Sequence, residues 1–420
     1  MRRDMAGQAG GAYAAAAVAD TSAPQPGESP RTTAPARLGY VDGLRALAAL
    51  YVVVSHIMAT IWPFQPPSGF AGLLSNPVGY AHYAVSVFIV LSGFSLMLPV
   101  ARRDYRLPWG VWGFYWRRAR RILPPYYFAM GLTLLLIWLF IGQKMGGRWD
   151  IVLPVTGTSV IEHILLLQDF SRTQSLTINF AFWSIAMECQ IYLLFPAFTL
   201  LWRRYPPLFS TLLVVICSLL LLFGLELTWV GRLPGYTGTE FAPQYIGLFA
   251  MGMFAASVYT RPTPRWLRLQ GWYLWEALAL LCFGVVIWRS AAWPLYLLDL
   301  FVGVATIGLL LAAARPGRVN PIHAALEWRP LVWIGGFSYS IYLIHAPLVQ
   351  LLWQYGLHPL GLGDVATYLA LLAVGLPLIV LASWGFFYVC ERPFLNSRNS
   401  RAAGPGPGAW LARLRSWRAA

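Results

Sequence analysis

Long apolar runs follow one another along most of this chain from residue 44 onward. Each run is close to the roughly 20 residues that an α-helix needs to cross the hydrocarbon core of a bilayer. The expected fold class is therefore all-α, a polytopic membrane protein with about ten transmembrane helices. The predicted spans are 44–62, 79–99, 122–141, 181–201, 209–229, 244–260, 273–289, 293–314, 332–354 and 366–389.

Polar segments divide the chain into a membrane domain and two ends. Residues 1–36 and 395–420 lack apolar periodicity and are rich in Ala, Pro and Gly, which predicts flexible tails on either side of a membrane domain at 37–394. Connections between spans are short except for residues 142–180. The apolar stretch 160–167 within this long loop is expected to lie on the membrane surface or to dip into it.

Composition supports the membrane interpretation. Hydrophobic residues make up 58% of the chain and charged residues 11%, whereas soluble domains contain about 25% charged residues. That shortage of charged side chains excludes an ordinary soluble enzyme and a disordered chain. The chain also contains 20 Trp, a residue that is enriched where a bilayer meets water.

The formal charge of +15 is distributed unevenly. If the spans alternate direction, 26 of the 31 basic residues fall on one side, and basic residues mark the cytoplasmic side. We therefore predict that both termini are cytoplasmic, and we expect no nucleic-acid partner. Lys144 is the single lysine beside 30 arginines, a ratio typical of a GC-rich genome, so we place the protein in a bacterial cytoplasmic membrane.

Three ionisable residues lie well inside predicted spans: His56, Glu188 and His345. A charge at a helix centre costs about 2.5–3.5 kcal/mol on insertion, so such residues usually pair or function. Helical rise places all three between the midplane and the outer face. Ser338 and Tyr342 share a helix face with His345. These residues are candidates for one site, although depth does not show that they face each other, and a packing role is the alternative for each.

Arginine is concentrated before the third predicted span. Four arginines occur within five residues, at positions 117, 118, 120 and 121. This is more basic residues than the orientation of a transmembrane helix requires. Guanidinium groups bind phosphate oxygens in pairs, so the cluster suits a polyphosphate. Anionic lipid headgroups are an equally good ligand on these grounds.

Several signatures of catalysis and metal binding are missing from the sequence. There is no phosphate-binding P-loop, no H-E-x-x-H, no G-x-S-x-G and no cluster of His and Cys. We expect no metal. The four cysteines lie in or beside apolar stretches without a C-x-x-C pair, so we interpret them as small buried hydrophobic residues.

Six short motifs occur in order between residues 38 and 395, and together they resemble the acyltransferase-3 family of membrane O-acyltransferases. Any one of them is weak evidence, but six in the family's order are strong. They are Asp42–Arg45 followed by His56, Phe88–Phe94 (FIVLSGF), Arg117–Arg121 (RRARR), Phe182–Glu188 (FWSIAME), Ser338–His345 (SYSIYLIH) and Glu391–Phe394 (ERPF).

The chain departs from the family pattern at a few positions. Many members have Asp where this chain has Ser86, and Ile89 and Ile185 replace an aromatic residue and a leucine. These changes affect the expected acceptor and not the fold. No soluble esterase-like domain follows the last predicted span, so the resemblance implies a stand-alone enzyme.

The resemblance implies transfer of an acyl group, usually acetyl, from cytoplasmic acetyl-CoA or another acyl-CoA to a hydroxyl of a glycan, a lipid-linked sugar or a secreted natural product. His56 would be the general base or the first acyl carrier, and Glu188 would orient or stabilise an imidazole. The remaining roles are acceptor binding or thioester polarisation by His345, Tyr342 and Ser338, acceptor binding by Trp183, and donor phosphate binding by Arg45, Arg117, Arg118, Arg120 and Arg121.

Other functions stay open from the residues alone. A secondary transporter also places His and Glu near the midplane, although the chain shows no repeat of the kind that paired transporter halves produce. A non-enzymatic partner in glycan export is a further alternative, as is the other large class of membrane acyltransferases, which is built around one catalytic histidine. The sequence predicts neither the acceptor nor the oligomeric state.

Overall fold

The computed structural model describes residues 38–63, 67–75, 79–171, 173–229, 241–260, 272–290, 292–314 and 320–395. Both predicted tails lie outside the described residues, apart from residue 395. The described part of the chain is helical and contains no strand. Its α-helices are α1 Gly39–Ile61, α2 Gly69–Ser75, α3 Ala81–Ala101, α4 Gly110–Leu136, α5 Gly157–Leu165, α6 Trp183–Arg204, α7 Pro207–Trp229, α8 Gln244–Thr260, α9 Trp272–Arg289, α10 Leu295–Ala313, α11 Pro321–Leu326, α12 Arg329–Gly335, α13 Ser338–Leu351, α14 Asp364–Ala370 and α15 Leu376–Phe386.

A helix is present at each of the ten predicted spans, which confirms an all-α polytopic membrane protein. Within the described residues, seven helices are long and apolar enough to cross a bilayer, and α12 with α13 forms an eighth span if this pair, bent by 75°, counts as one. The last span runs from α14 through α15 as Asp364–Phe394. The other two predicted spans, α8 and α9, are helices of 17 and 18 residues, so the count of ten is approximate.

Helix α4 is longer than its apolar run predicts. The third span was expected at 122–141 with the arginines in a loop before it, but the helical segment covers Gly110–Ile141. Pro124 and Pro125 lie inside the helix, although proline usually ends or kinks one. The arginine cluster therefore lies on a helix, and its side chains point in directions set by helical periodicity.

Helix α8 is almost entirely enclosed by protein. It packs against α3, α7 and α10, and most of its residues are buried. Gly252 of α8 and Gly93 of α3 allow this close approach: a Cβ at Gly93 would lie 2.1 Å from the Phe249 carbonyl oxygen, and one at Gly252 would lie 2.0 Å from the Val90 carbonyl oxygen. The two helices therefore cross with their backbones in contact, as small residues permit in membranes.

The segment between α4 and α6, residues 142–180, covers one end of α13. Ile141, Trp149, Val152, Phe180 and Ala346 form a buried apolar cluster that joins the segment to α13. The Asn179 amide also donates to the Leu343 carbonyl at 3.1 Å. In the predicted orientation this is the outer side of the membrane, and we call the opposite side, where α1 begins, the inner side.

The contact between α3 and α8 generates a stability prediction. Gly93→Ala and Gly252→Ala should each lower the thermal midpoint of the detergent-purified protein, because the added methyl meets backbone that has to move, at a cost of about 1–3 kcal/mol or more. Gly131→Ala on α4 is the matched control, since nothing lies within 4 Å of its Cβ position. Equal midpoints for all three variants would contradict the close crossing.

Candidate active site

Two histidines from different helices meet inside the membrane domain. His56 on α1 and His345 on α13 lie with Nδ1 of the first 2.7 Å from Nε2 of the second. Their rings are nearly parallel, at 7° and a centroid distance of 5.0 Å. Helix α1 packs against α3, α12 and α13, so the pair forms where these helices converge. His345 is fully buried, and His56 is partly exposed.

The direction of this hydrogen bond follows from the surroundings of His345. Its Nδ1 lies 2.8 Å from the Tyr342 carbonyl oxygen and 3.1 Å from that of Ile341. A carbonyl only accepts, so this nitrogen carries the hydrogen and the Nε2 of a neutral His345 is an acceptor. His56 must then donate from Nδ1, which leaves a lone pair on its Nε2. The arrangement presents His56 Nε2 as a base and gives its Nδ1–H a fixed partner.

Aromatic and hydroxyl groups surround the pair. The Phe180 ring packs edge-on against His56 with centroids 4.8 Å apart. The Tyr342 ring lies 5.9 Å from the His345 ring, and its hydroxyl is 2.6 Å from Ser184 Oγ on α6. The structure therefore brings together three of the residues predicted from the sequence: His56, His345 and Tyr342.

Glu188 has other partners than those the sequence suggested. Ser92 Oγ on α3 donates to Glu188 Oε1 at 2.8 Å, and the Tyr192 hydroxyl also hydrogen-bonds this oxygen. Ser92 and Tyr192 are themselves 2.5 Å apart. Among the described residues, no hydrogen bond joins Glu188 to either imidazole. One turn of α6 separates Glu188 from Ser184, so the carboxylate lies on the inner side of the histidine pair.

Three arginines converge below Glu188. The strongest electrostatic neighbours of Arg118 are Arg121, Tyr192, Glu188 and Arg45. Arg45 is held by Asp42 Oδ1 at 3.2 Å and donates to Ser95 Oγ at 2.7 Å. Arg118 Nε is buried and has no hydrogen-bond partner. A cluster of like charges with an unused buried donor suits an anion with several oxygens, such as a phosphate group.

The four arginines on α4 do not act as one set. Arg118 and Arg121 are one turn apart and face Arg45, as i and i+3 positions share a helix face. Arg117 instead packs its guanidinium 3.5 Å from the centre of the Trp109 ring. Arg120 is exposed on the surface. Helical periodicity could have predicted this division, had the arginines been placed on a helix.

Ser338 and Trp183 lie away from the histidine pair. The Ser338 hydroxyl donates to the Gly335 carbonyl at 3.1 Å, at the bend between α12 and α13. The Trp183 ring packs 5.8 Å from the Tyr245 ring on α8. Ser338 thus lies about two helical turns below His345, while Trp183 lies beside a second group of polar residues.

Sequence reasoning missed that second group, which is built around Asp299 on α10. The fully buried carboxylate accepts from Ser86 Oγ at 2.6 Å and from Gln244 Nε2 at 3.3 Å. His82 Nε2 lies 3.2 Å from Asp299 Oδ2 and 3.1 Å from the Tyr245 hydroxyl. The position of Asp299 near the start of the predicted span 293–314 favours an anchor at the helix end, so the sequence alone did not mark it as part of a polar site. Its carboxylate lies beside Ser86, the position where many acyltransferase-3 members carry Asp. Among the described residues, no three His, Cys, Asp or Glu are arranged to hold a metal ion.

Comparison with known proteins supports one family. The family model described as "Acyltransferase domain" matches residues 38–388. The protein YrhL of Bacillus subtilis is 28% identical over 332 residues, which cover 74% of this chain and 48% of YrhL. The peptidoglycan O-acetyltransferase OatA of Listeria monocytogenes is 26% identical over 332 residues, covering 74% of this chain and 49% of OatA. This chain spans about half the length of these relatives, and no solved structure matches it.

The contact between Ser86 and Asp299 generates a swap experiment. Ser86→Asp should lower the thermal midpoint, because it brings a second carboxylate against a buried one, and Asp299→Ser should lower it by leaving His82 and Gln244 without their acceptor. The double variant S86D/D299S restores one carboxylate and should recover much of the loss, with a coupling energy of about 1–3 kcal/mol.

A control for the swap separates specific recovery from general tolerance. Ser383 is also fully buried and donates to a carbonyl on its own helix, Ile379. Ser383→Asp combined with Asp299→Ser should show additive losses in the thermal midpoint. Additive losses for S86D/D299S as well would contradict a shared carboxylate position.

Proposed function

This chain belongs to the family described as Acyltransferase domain, and we propose that it is a membrane O-acyltransferase that moves an acyl group, acetyl in the first instance, from cytoplasmic acyl-CoA to a glycan hydroxyl. The observation that carries the proposal is the hydrogen-bonded pair of His56 and His345, with Glu188 and three arginines located farther toward the inner side. Similarity to a peptidoglycan O-acetyltransferase favours a glycan over the other acceptor classes.

In the proposed reaction His56 Nε2 takes the proton of the acceptor hydroxyl. The hydroxyl oxygen attacks the thioester carbonyl carbon, the C–S bond breaks, and the departing thiolate takes the proton back from His56. His345 stabilises the imidazolium, because the Nδ1–H of His56 keeps its acceptor throughout the step. His345 is therefore a positioning residue in this scheme and His56 the catalytic base.

The inner arginines are proposed to bind the phosphates of the donor. Arg45, Arg118 and Arg121 would hold them, and the buried Nε of Arg118 offers an unused donor. From Arg45 to His56 the chain rises eleven residues, or roughly 16 Å along α1, a length comparable with an extended pantetheine arm. The arm would pass Glu188, whose carboxylate keeps Tyr192 in place beside Arg118.

This proposal retains the orientation predicted from the basic residues. Both termini would lie in the cytoplasm of a bacterium, with the donor entering from the inner side of the cytoplasmic membrane. The acceptor would reach the partly exposed His56 from the outer side. Acyl transfer could then join two substrates that occupy opposite sides of the membrane.

The histidine pair gives the first activity prediction. His56→Gln should lower the turnover of acetyl-CoA by about 10²–10⁴-fold, since the amide cannot serve as a base. His345→Gln should lower kcat by a smaller factor and leave the KM for acetyl-CoA unchanged. Turnover is measured as acceptor-dependent release of CoA thiol by purified protein.

A third histidine variant controls for loss of an imidazole as such. His358 is exposed and packs against Trp353, so His358→Gln should behave as wild type. If His56→Gln kept near wild-type turnover, the base would have to be another group. A rise in KM on His345→Gln, with kcat unchanged, would instead assign His345 to substrate binding.

The division of the arginines gives the second activity prediction. The paired change R118K/R121K should weaken binding of CoA by about 10–100-fold, because lysine keeps the charge but loses the planar fork. The paired change R117K/R120K is the matched control and should bind CoA like wild type. Both pairs should insert normally, since Lys and Arg count equally for topology.

Calorimetry with CoA and with dephospho-CoA measures this prediction. Wild type should bind CoA more tightly than dephospho-CoA, and R118K/R121K should distinguish the two less. Equal losses of CoA affinity in the two paired variants would indicate that the arginine cluster only sets the membrane topology. The donor phosphates would then bind elsewhere.

A further inference from the structure

Arg148 lies beside the proposed base, on the outer segment between α4 and α6. Its Cζ is 5.6 Å from the centre of the Phe180 ring, and the His56 ring is 4.8 Å from the same centre. The two side chains therefore share one aromatic neighbour. Arg148 is also among the charged groups that act most strongly on His56.

The Arg148 guanidinium has no countercharge in the part of the chain that the structure describes. No carboxylate forms an ion pair with it there, and its Nε is buried without a hydrogen-bond partner. The carboxylate of Asp150, two residues away, instead accepts hydrogen bonds from the backbone N–H groups of Met145 and Gly146 at 3.0 and 2.9 Å. Burial lowers the pKa of Arg148, because desolvation disfavours its charged form.

The position of Arg148 is fixed by its neighbours. Trp149, the next residue, is buried and donates from its indole N–H to the Ile141 carbonyl at 3.0 Å. Val152 and Phe180 pack with it against α13. The backbone that carries Arg148 is therefore held near His56 by a packed segment. Membrane topology does not explain an arginine at this position either, since basic residues are sparse on the predicted outer side.

We propose that Arg148 binds a carboxylate carried by the acceptor close to the hydroxyl that reacts. This proposal rests on the proposed function and adds the acceptor's chemical class, an acidic glycan. The donor does not supply this anion, because its phosphates would lie at the inner arginines and its thioester is neutral. A carboxylate would pair with the guanidinium through two hydrogen bonds and would position the reacting hydroxyl at His56.

Binding of two matched acceptors tests the proposal. The probes are the methyl glycoside of N-acetylmuramic acid, which carries a carboxylate, and the same molecule with that carboxylate converted to a carboxamide. Wild type in nanodiscs should bind the acid at least about tenfold more tightly than the amide. Arg148→Gln should lose this preference by weakening binding of the acid alone, and Arg148→Lys should keep part of it because the charge remains.

Lys144 provides the matched control. It is an exposed cation on the same outer segment, so Lys144→Gln should keep the wild-type preference, and a loss there would indicate a general charge effect and overturn the assignment. Wild type that binds acid and amide equally, or Arg148→Gln that weakens both equally, would also overturn it.

Acyl transfer to the two probes is measured separately with acetyl-CoA. In transfer, Arg148→Gln should raise the KM for the acid and leave kinetics with the amide unchanged. If wild type binds the acid selectively but transfers nothing to either probe, the acyltransferase proposal fails while the anion site stands. If transfer proceeds to both probes without selectivity, the anion site fails while the acyltransferase proposal stands.

Discussion

The hydrogen bond between His56 and His345 is the interaction on which the arrangement of this site depends. Two imidazoles inside a membrane domain need partners, because an unpaired polar group costs several kcal/mol away from water. The backbone carbonyl of Tyr342 takes the one hydrogen of His345, and His56 then has to donate its own. One carbonyl on α13 thus determines which nitrogen of His56 is basic. His345 therefore has two effects on His56: it satisfies the Nδ1–H inside the membrane domain, and it leaves Nε2 free to act as a base.

Helix packing provides the precision that such a pair needs. A 2.7 Å contact between residues 289 positions apart requires α1 and α13 to hold their relative depth and rotation closely. At Gly93 and Gly252 the backbones of α3 and α8 are in direct contact, which fixes the two helices against each other. Helix α3 also packs on α1. Protein interiors transmit such constraints because they are packed nearly without voids. We therefore expect these glycines to stabilise the geometry of the histidine pair indirectly, through the packing of the helices.

The depth of the candidate residues could be predicted from the sequence, because helical rise is constant, but their partners could not. His56 and His345 share a depth and meet, whereas Glu188 pairs with Ser92 and Tyr192, since rotation of α6 about its axis is fixed only by packing. No sequence pattern indicated the partners of Asp299, because they lie on α3 and α8, more than 50 residues away in sequence. Arg148 carried no signal at all, since an arginine in a polar loop is unremarkable until the loop folds onto α13.

The positions of the positive charges fit a reaction that spans the membrane. Arg45, Arg118 and Arg121 form a cationic centre on one side of the histidine pair, and Arg148 forms another on the opposite side. Nothing in the positive-inside rule requires the second centre, and burying an unpaired cation opposes folding. A neutral histidine pair that lies between two cationic centres cannot compensate the positive charge of either centre. Anions brought by substrates can. Arg45 is paired with Asp42, but among the described residues no carboxylate forms an ion pair with Arg118, Arg121 or Arg148, and this excess positive charge is an argument that each side of the site has a separate anionic ligand.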